Sequence, residues 1–144
     1  MSIDVRVDHG RRLVLVRGHG TVGLEEMIRY QRDTWSQPEV TGYDELVDMS
    51  DVREALQPTA ERMRELATLA AGQDESGAGG AKLAIVAPQQ ELFGLARMYQ
   101  TYRSLVPRST KAVAVFHDLA EAERWLEGRG SDAGGPTPPS RGGS

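Results

Sequence analysis

Apolar residues recur along this chain at two spacings, one of period two and one near 3.6. Together they predict the order β-β-α-β-α-β-α-β-α. Ile3, Val5 and Val7 alternate with Asp4, Arg6 and Asp8, the pattern of an edge strand buried on one face. His9-Gly10-Arg11 makes a short turn, and the continuous run Leu13 to Val16 pairs back as the second arm of a hairpin. Leu24, Met27, Ile28 and Trp35 share a face with Gln31, predicting a helix over 24–35 with Glu25 and Glu26 in its favourable first turn. Gln37-Pro38 stops it. Tyr43, Leu46, Val47 and Met49 are apolar on both faces, as a covered central strand needs, and Asp48, Ser50 and Asp51 stand where that strand should emerge. Thr59 is the N-cap of a second helix, about 60–71, which turns Met63, Leu66, Ala67 and Ala70 inward. A strand over 82–87 follows. Pro88 then opens a long helix to about Val106, with Leu92, Leu95, Ala96, Tyr99, Tyr102 and Val106 on one arc. Phe93 lies off that arc, and Met98 and Leu105 sit at its margin. The last strand covers 111–116. Asp118 caps a final helix in which Leu119, Ala122 and Leu126 point inward, with Trp125 beside them.

This order predicts an α/β fold: an opening β-hairpin, then three β-α-β crossovers, giving a single mixed sheet of five strands. Right-handed crossovers place the four helices mostly on one side. A chain of 144 residues is one domain on length. The domain is expected over 1–127. From Gly128 on, Gly, Pro and Ser dominate, predicting a disordered tail over 128–144, and the segment from Gly72 to Lys82 reads as a flexible loop.

Two glycine motifs invite a nucleotide reading and fail it. Gly18, Gly20 and Gly23 spell G-x-G-x-x-G, but no acidic residue ends a following strand at the required distance. Glu39 falls in a turn and Asp48 comes late. The glycines read instead as a strand exit. Gly79-Gly80-Ala81-Lys82 lacks the Gly-Lys-Ser/Thr order and the following helix of a phosphate loop. A net charge of −4 gives no basic footprint for nucleic acid. The absence of cysteine removes thiolate chemistry and thiolate metal sites. His9, His19 and His117 show no metal-binding spacing, so no metal or cofactor is expected. No apolar run approaches the roughly 18 residues that cross a bilayer, and the first residues carry no signal-peptide pattern, so a cytoplasmic location is expected.

The segments Leu46-Val47-Asp48-Met49-Ser50-Asp51-Val52 and Phe93-Gly94-Leu95-Ala96-Arg97-Met98, with the ending Phe116-His117-Asp118-Leu119 and Glu123-Arg124-Trp125-Leu126, carry a resemblance. On these, and on the β-β-α-β opening, the chain from Ile3 to Glu127 resembles the STAS domains of anti-sigma-factor antagonists. It looks most like their SpoIIAA-like, STAS/SEC14-related branch. The resemblance implies a non-enzymatic regulatory or protein-interaction module, switched by phosphorylation of a Ser or Thr opening the helix after the Asp-Leu-Ser-like strand. Thr59 lies closest to that position, one residue out of register, with Leu56-Gln57-Pro58-Thr59 in place of the family's Asp-Ser-Ser-Gly. Ser50 is the alternative phosphoacceptor.

Three function classes follow. The first is the regulatory module, with Asp48, Asp51 and His117 at one strand-end site beside Thr59, and a protein partner or a second copy held on Phe93, Met98, Tyr99 and Tyr102. The second, implied by the SEC14-related label, is a lipid or small apolar-ligand binder that uses the same four residues of the long helix. The third is an enzyme using the Asp48–Asp51 carboxylates and His117. General acid–base work needs positioned partners that this sequence does not offer, and no nucleophile elbow is present, so catalytic residues are not expected.

Overall fold

The computed structural model describes residues 2–56, 58–74, 81–107 and 109–128. β1 (Ile3–Asp8) and β2 (Leu13–Val22) form the hairpin. α1 (Leu24–Trp35) and a single 3-10 turn (Pro38–Val40) lead into β3 (Asp44–Ala55). Then come α2 (Ala60–Asp74), β4 (Lys82–Val86), α3 (Gln90–Ser104), β5 (Ala112–Phe116) and α4 (Leu119–Leu126). The sheet is five-stranded in the order β1-β2-β3-β4-β5. β1 is antiparallel to β2, and every other pair is parallel. The expected α/β fold with one mixed sheet and four helices is the one observed.

The two faces of the sheet are covered differently. Val14, Val16, Val47, Leu83, Ile85 and Val115 point to one side and pack with Tyr30 of α1 and with Phe93, Ala96 and Tyr99 of α3. α2 lies between α1 and α3 and touches both. Leu13, Leu46, Ala84, Val86, Ala114 and Phe116 point to the other side, where among the described residues α4 alone covers them with Ala122, Trp125 and Leu126. Asp118 accepts hydrogen bonds from the backbone N–H groups of Ala120, at 2.7 Å, and Glu121, which stops that short helix from fraying.

Several boundaries differ from the sequence expectation. Gly72 and Gln73 continue α2 instead of starting a loop. The rest of that loop, 75–80, and the tail from 129 on lie outside the described residues. α3 stops at Ser104, and Leu105 beyond it is 70% exposed. Val5 and Val7, expected inside, are both exposed, because β1 reaches past the helices that cover its neighbours.

The largest correction concerns β2 and β3. Both run well past the points where they were expected to end. β3 loses β4 after the Asp48–Val86 pair but stays paired with β2 as far as Val22–Ala55. The result is a two-stranded ribbon overhanging the sheet by about 20 Å at the usual strand rise. Ser50 and Asp51 are therefore strand residues. Two register shifts each insert one extra residue in β3 opposite β2, the first between Asp48 and Asp51 and the second between Val52 and Glu54. Such bulges bend and twist a strand. Gly18 and Gly20 sit inside β2, not at its exit. A Cβ on Gly18 would stand 2.7 Å from Met49 Sδ and 2.8 Å from Val52 Cγ2, so the glycine lets β3 side chains cross over β2. Gly20 has φ of +66°, a backbone conformation that suits a residue without a Cβ.

Candidate functional site

The first bulge organises the acidic residues. Asp48 is buried, and its Oδ1 accepts from the Ser50 N–H at 3.0 Å and the Ser50 hydroxyl at 2.6 Å. The carboxylate thus satisfies a backbone donor beside the extra residue. Arg17, directly across on β2, holds both acids, with its guanidinium 4.0 Å from Asp48 and 3.7 Å from Asp51. Sequence reasoning missed Arg17, and only the β2–β3 register reveals it.

Asp48 pairs across the sheet with Val86, and Val86 with Phe116, so the Asp48 side chain points to the α4 face. Thr59 is exposed, and its Oγ1 accepts from the Arg62 N–H at 3.1 Å, capping α2 on the opposite face. The shared patch of Asp48 and Thr59 expected from sequence is therefore not formed: the ribbon and the thickness of the sheet lie between them. Beyond Thr59, Arg62 pairs with Glu65 of its own helix and with Glu25 of α1.

His117 follows Phe116 at the same sheet end as Asp48 but takes part in a different contact. Its ring stacks on Phe93, with centroids 3.9 Å apart and an interplanar angle of 3°. Phe93 is thus half-covered and tied to β5, not a free contact residue. Met98 is 44% exposed on the outer side of α3. Tyr102 is half-buried. Tyr99 turns inward, where its hydroxyl accepts from Arg103 at 2.9 Å. The four residues grouped on the long helix therefore divide between its outer and inner sides.

The inner side lines an apolar cavity of about 130 Å³ between the sheet and the three helices, partly open to solvent. Its walls include Met27 of α1, Met49 and Val52 of the ribbon, Met63 and Leu66 of α2, and Leu95 of α3. Leu56 and Pro58 also line it, and Leu56 is 56% exposed, so the ribbon's end borders the opening to solvent. The polar side chains of this wall are Tyr30, Gln31, Glu45 and Tyr99. Glu45, 3% exposed, accepts from the Tyr30 hydroxyl at 2.5 Å and faces Lys111 Nζ at 3.3 Å. Trp35 Nε1 donates to the Tyr30 oxygen at 2.8 Å, and Lys111 Nζ lies 3.6 Å from the centre of the Trp35 ring. Both charged side chains of the pair are nearly inaccessible. Burial, and then the neighbouring Glu45 charge, hold the Tyr30 hydroxyl well above the usual tyrosine range. Tyr30, Glu45 and Lys111 were not singled out from sequence, and Trp35 was read only as part of the apolar stripe of α1. A Tyr inside an amphipathic helix and a Glu at a strand start look ordinary until the fold brings them together.

Among the described residues no group of three or more His, Asp or Glu side chains could hold a metal ion. Among them, too, no helix is long and apolar enough to cross a membrane.

No protein-family model matches the chain, and no curated protein matches it. A solved structure does: an uncharacterized protein from the DUF3478 family with a SpoIIAA-like fold, from Shewanella loihica PV-4. The two superpose with a TM-score of 0.55 at 14% sequence identity, over 87% of this chain and 94% of that one. At that identity the likeness carries the architecture alone: the chain has a SpoIIAA-like fold.

Proposed function

We propose that this domain binds a small apolar ligand in the cavity beneath α1, α2 and α3. The observation that carries this reading is the cavity itself, an apolar space of about 130 Å³ bordered by the exposed Leu56. Close-packed interiors leave few voids larger than a water molecule. A void of about 150 Å³ lined by aliphatic side chains stays dry and takes one benzene-sized guest. The size therefore suits a single ring or the end of one alkyl chain, and it is too small to enclose a two-chain lipid. The SEC14-like expectation narrows accordingly. The experiment is a titration of the full chain with toluene, followed through the methionine methyl resonances. Met49 and Met63 should shift saturably, and Ala96→Leu, which fills the space, should abolish the shift while the protein stays folded. Absence of any shift up to the solubility of toluene, or an unchanged titration in Ala96→Leu, would reject the reading.

A second reading, regulation through a phosphate on Thr59 that governs a protein partner, is favoured by one feature. The Thr59 hydroxyl is exposed at the first turn of α2. A phosphate there would face the free N–H groups and positive end of the helix. It would also compete with Glu25 for Arg62, loosening α1 from α2. A kinase from the source cell should label wild type and spare Thr59→Ala. Equal labelling of both removes Thr59 from consideration.

A further inference from the structure

We infer that the guest of this cavity is an uncharged molecule carrying one hydroxyl, an alcohol or a phenol, which it donates to the Glu45 carboxylate. This rests on the reading that the cavity takes a ligand at all, and it adds the chemistry by which the ligand is chosen.

Glu45 is the only charged residue in the described lining. An ionised carboxylate only accepts hydrogen bonds, and it offers about four lone-pair directions. Tyr30 and Lys111 engage one oxygen each, Oε2 and Oε1, leaving acceptor capacity on the carboxylate of a residue that lines the cavity. A ligand group that meets it must therefore donate. The Tyr30 hydroxyl is held in its protonated form, so it keeps donating to Glu45 and does not become a second anion. Of the other polar side chains in this wall, Gln31 gives its amide to Gln73 at 2.7 Å and the Tyr99 hydroxyl accepts from Arg103 at 2.9 Å.

Charge narrows the choice further. An anionic ligand would place its charge beside Glu45 in a space walled by hydrocarbon, where repulsion is strong. A cationic ligand would compete with Lys111, which already neutralises that carboxylate and rests on the Trp35 ring. A neutral hydroxyl meets neither obstacle. Volume limits the remainder of the molecule to about six to eight non-hydrogen atoms.

The probes are toluene, 4-methylphenol and benzoate, all of about seven to nine non-hydrogen atoms and so within the size limit, titrated into the full chain by calorimetry. A hydrogen bond to a charged group predicts that 4-methylphenol binds at least about tenfold more tightly than toluene. Benzoate should not bind saturably. In the paired substitution Glu45→Gln with Lys111→Met, which leaves no lone buried charge, the preference for the phenol should fall to within about threefold. Toluene binding as well as or better than 4-methylphenol would overturn the inference and leave the apolar-ligand reading standing. Binding of none of the three would overturn both. A phenol preference that survives the paired substitution would take the role away from Glu45. If the paired variant does not fold, the ordering of the three probes on wild type decides.

Discussion

Lys111 and Glu45 form an ion pair taken almost wholly out of water, and its energetics are asymmetric. A buried pair adds little stability over well-packed apolar residues, but removing one partner strands the other. Lys111→Met should therefore destabilise the fold by about 3 kcal/mol. Glu45→Gln added to it should recover part of the loss, and urea unfolding of the two variants checks both figures. Tyr30 carries a pH dependence of definite sign. Its folded value lies above the ordinary 10.0, so below that pH both states keep the proton and stability is unaffected. Above it the unfolded chain releases the proton while the folded chain holds it, and stability must fall as pH rises. The urea midpoint should drop more steeply between about pH 9 and about pH 11 in wild type than in Tyr30→Phe. This network was the least legible part of the sequence. Tyr30 and Glu45 are 15 positions apart, and Glu45 and Lys111 are 66 apart. No local pattern links residues whose partnership is made by a helix lying over a sheet. The residues that were singled out, Asp48, Ser50 and Thr59, carried local signals of turn and cap chemistry, and it is local hydrogen bonds that the structure gives them.

At the level of single elements, the helices were easier to foresee than the strands. α1 has the expected bounds because its apolar stripe and its following proline agree. β2 and β3 were cut short because glycines and charged residues in a strand read as its end. In a ribbon with one solvated face those residues continue the strand, and the two bulges in β3 break the alternation that would have identified it. Gly18→Ala tests this account. The added methyl must displace Met49 and Val52, so the variant should lose about 1–3 kcal/mol and show its largest chemical-shift changes at those two residues. A change confined to residues preceding Gly18 would contradict it.

Across the whole molecule, the strand order was legible because a hairpin followed by alternating helices and strands leaves few ways to build one sheet. The division of labour between its faces was less so. Among the described residues α4, the shortest α-helix, alone covers the second face, because β4 and β5 present small residues such as Ala84 and Ala114 to it. Stability should be uneven as a result. Amide hydrogens over 51–55, beyond the reach of β4, should exchange faster than those over 45–48, and equal protection would mean that the ribbon behaves as part of the sheet.

That ribbon also supplies Met49, Val52, Ala55 and Leu56 to the wall of the cavity, and past β4 it is held by pairing with β2 and by the bond from Gln89 to the Val52 carbonyl at 2.6 Å. It is a door hung on β2, with Gln89 as a latch. A molecule bound as proposed would leave past this latch, so Gln89→Ala should shorten its stay more than it lowers the domain's resistance to denaturation.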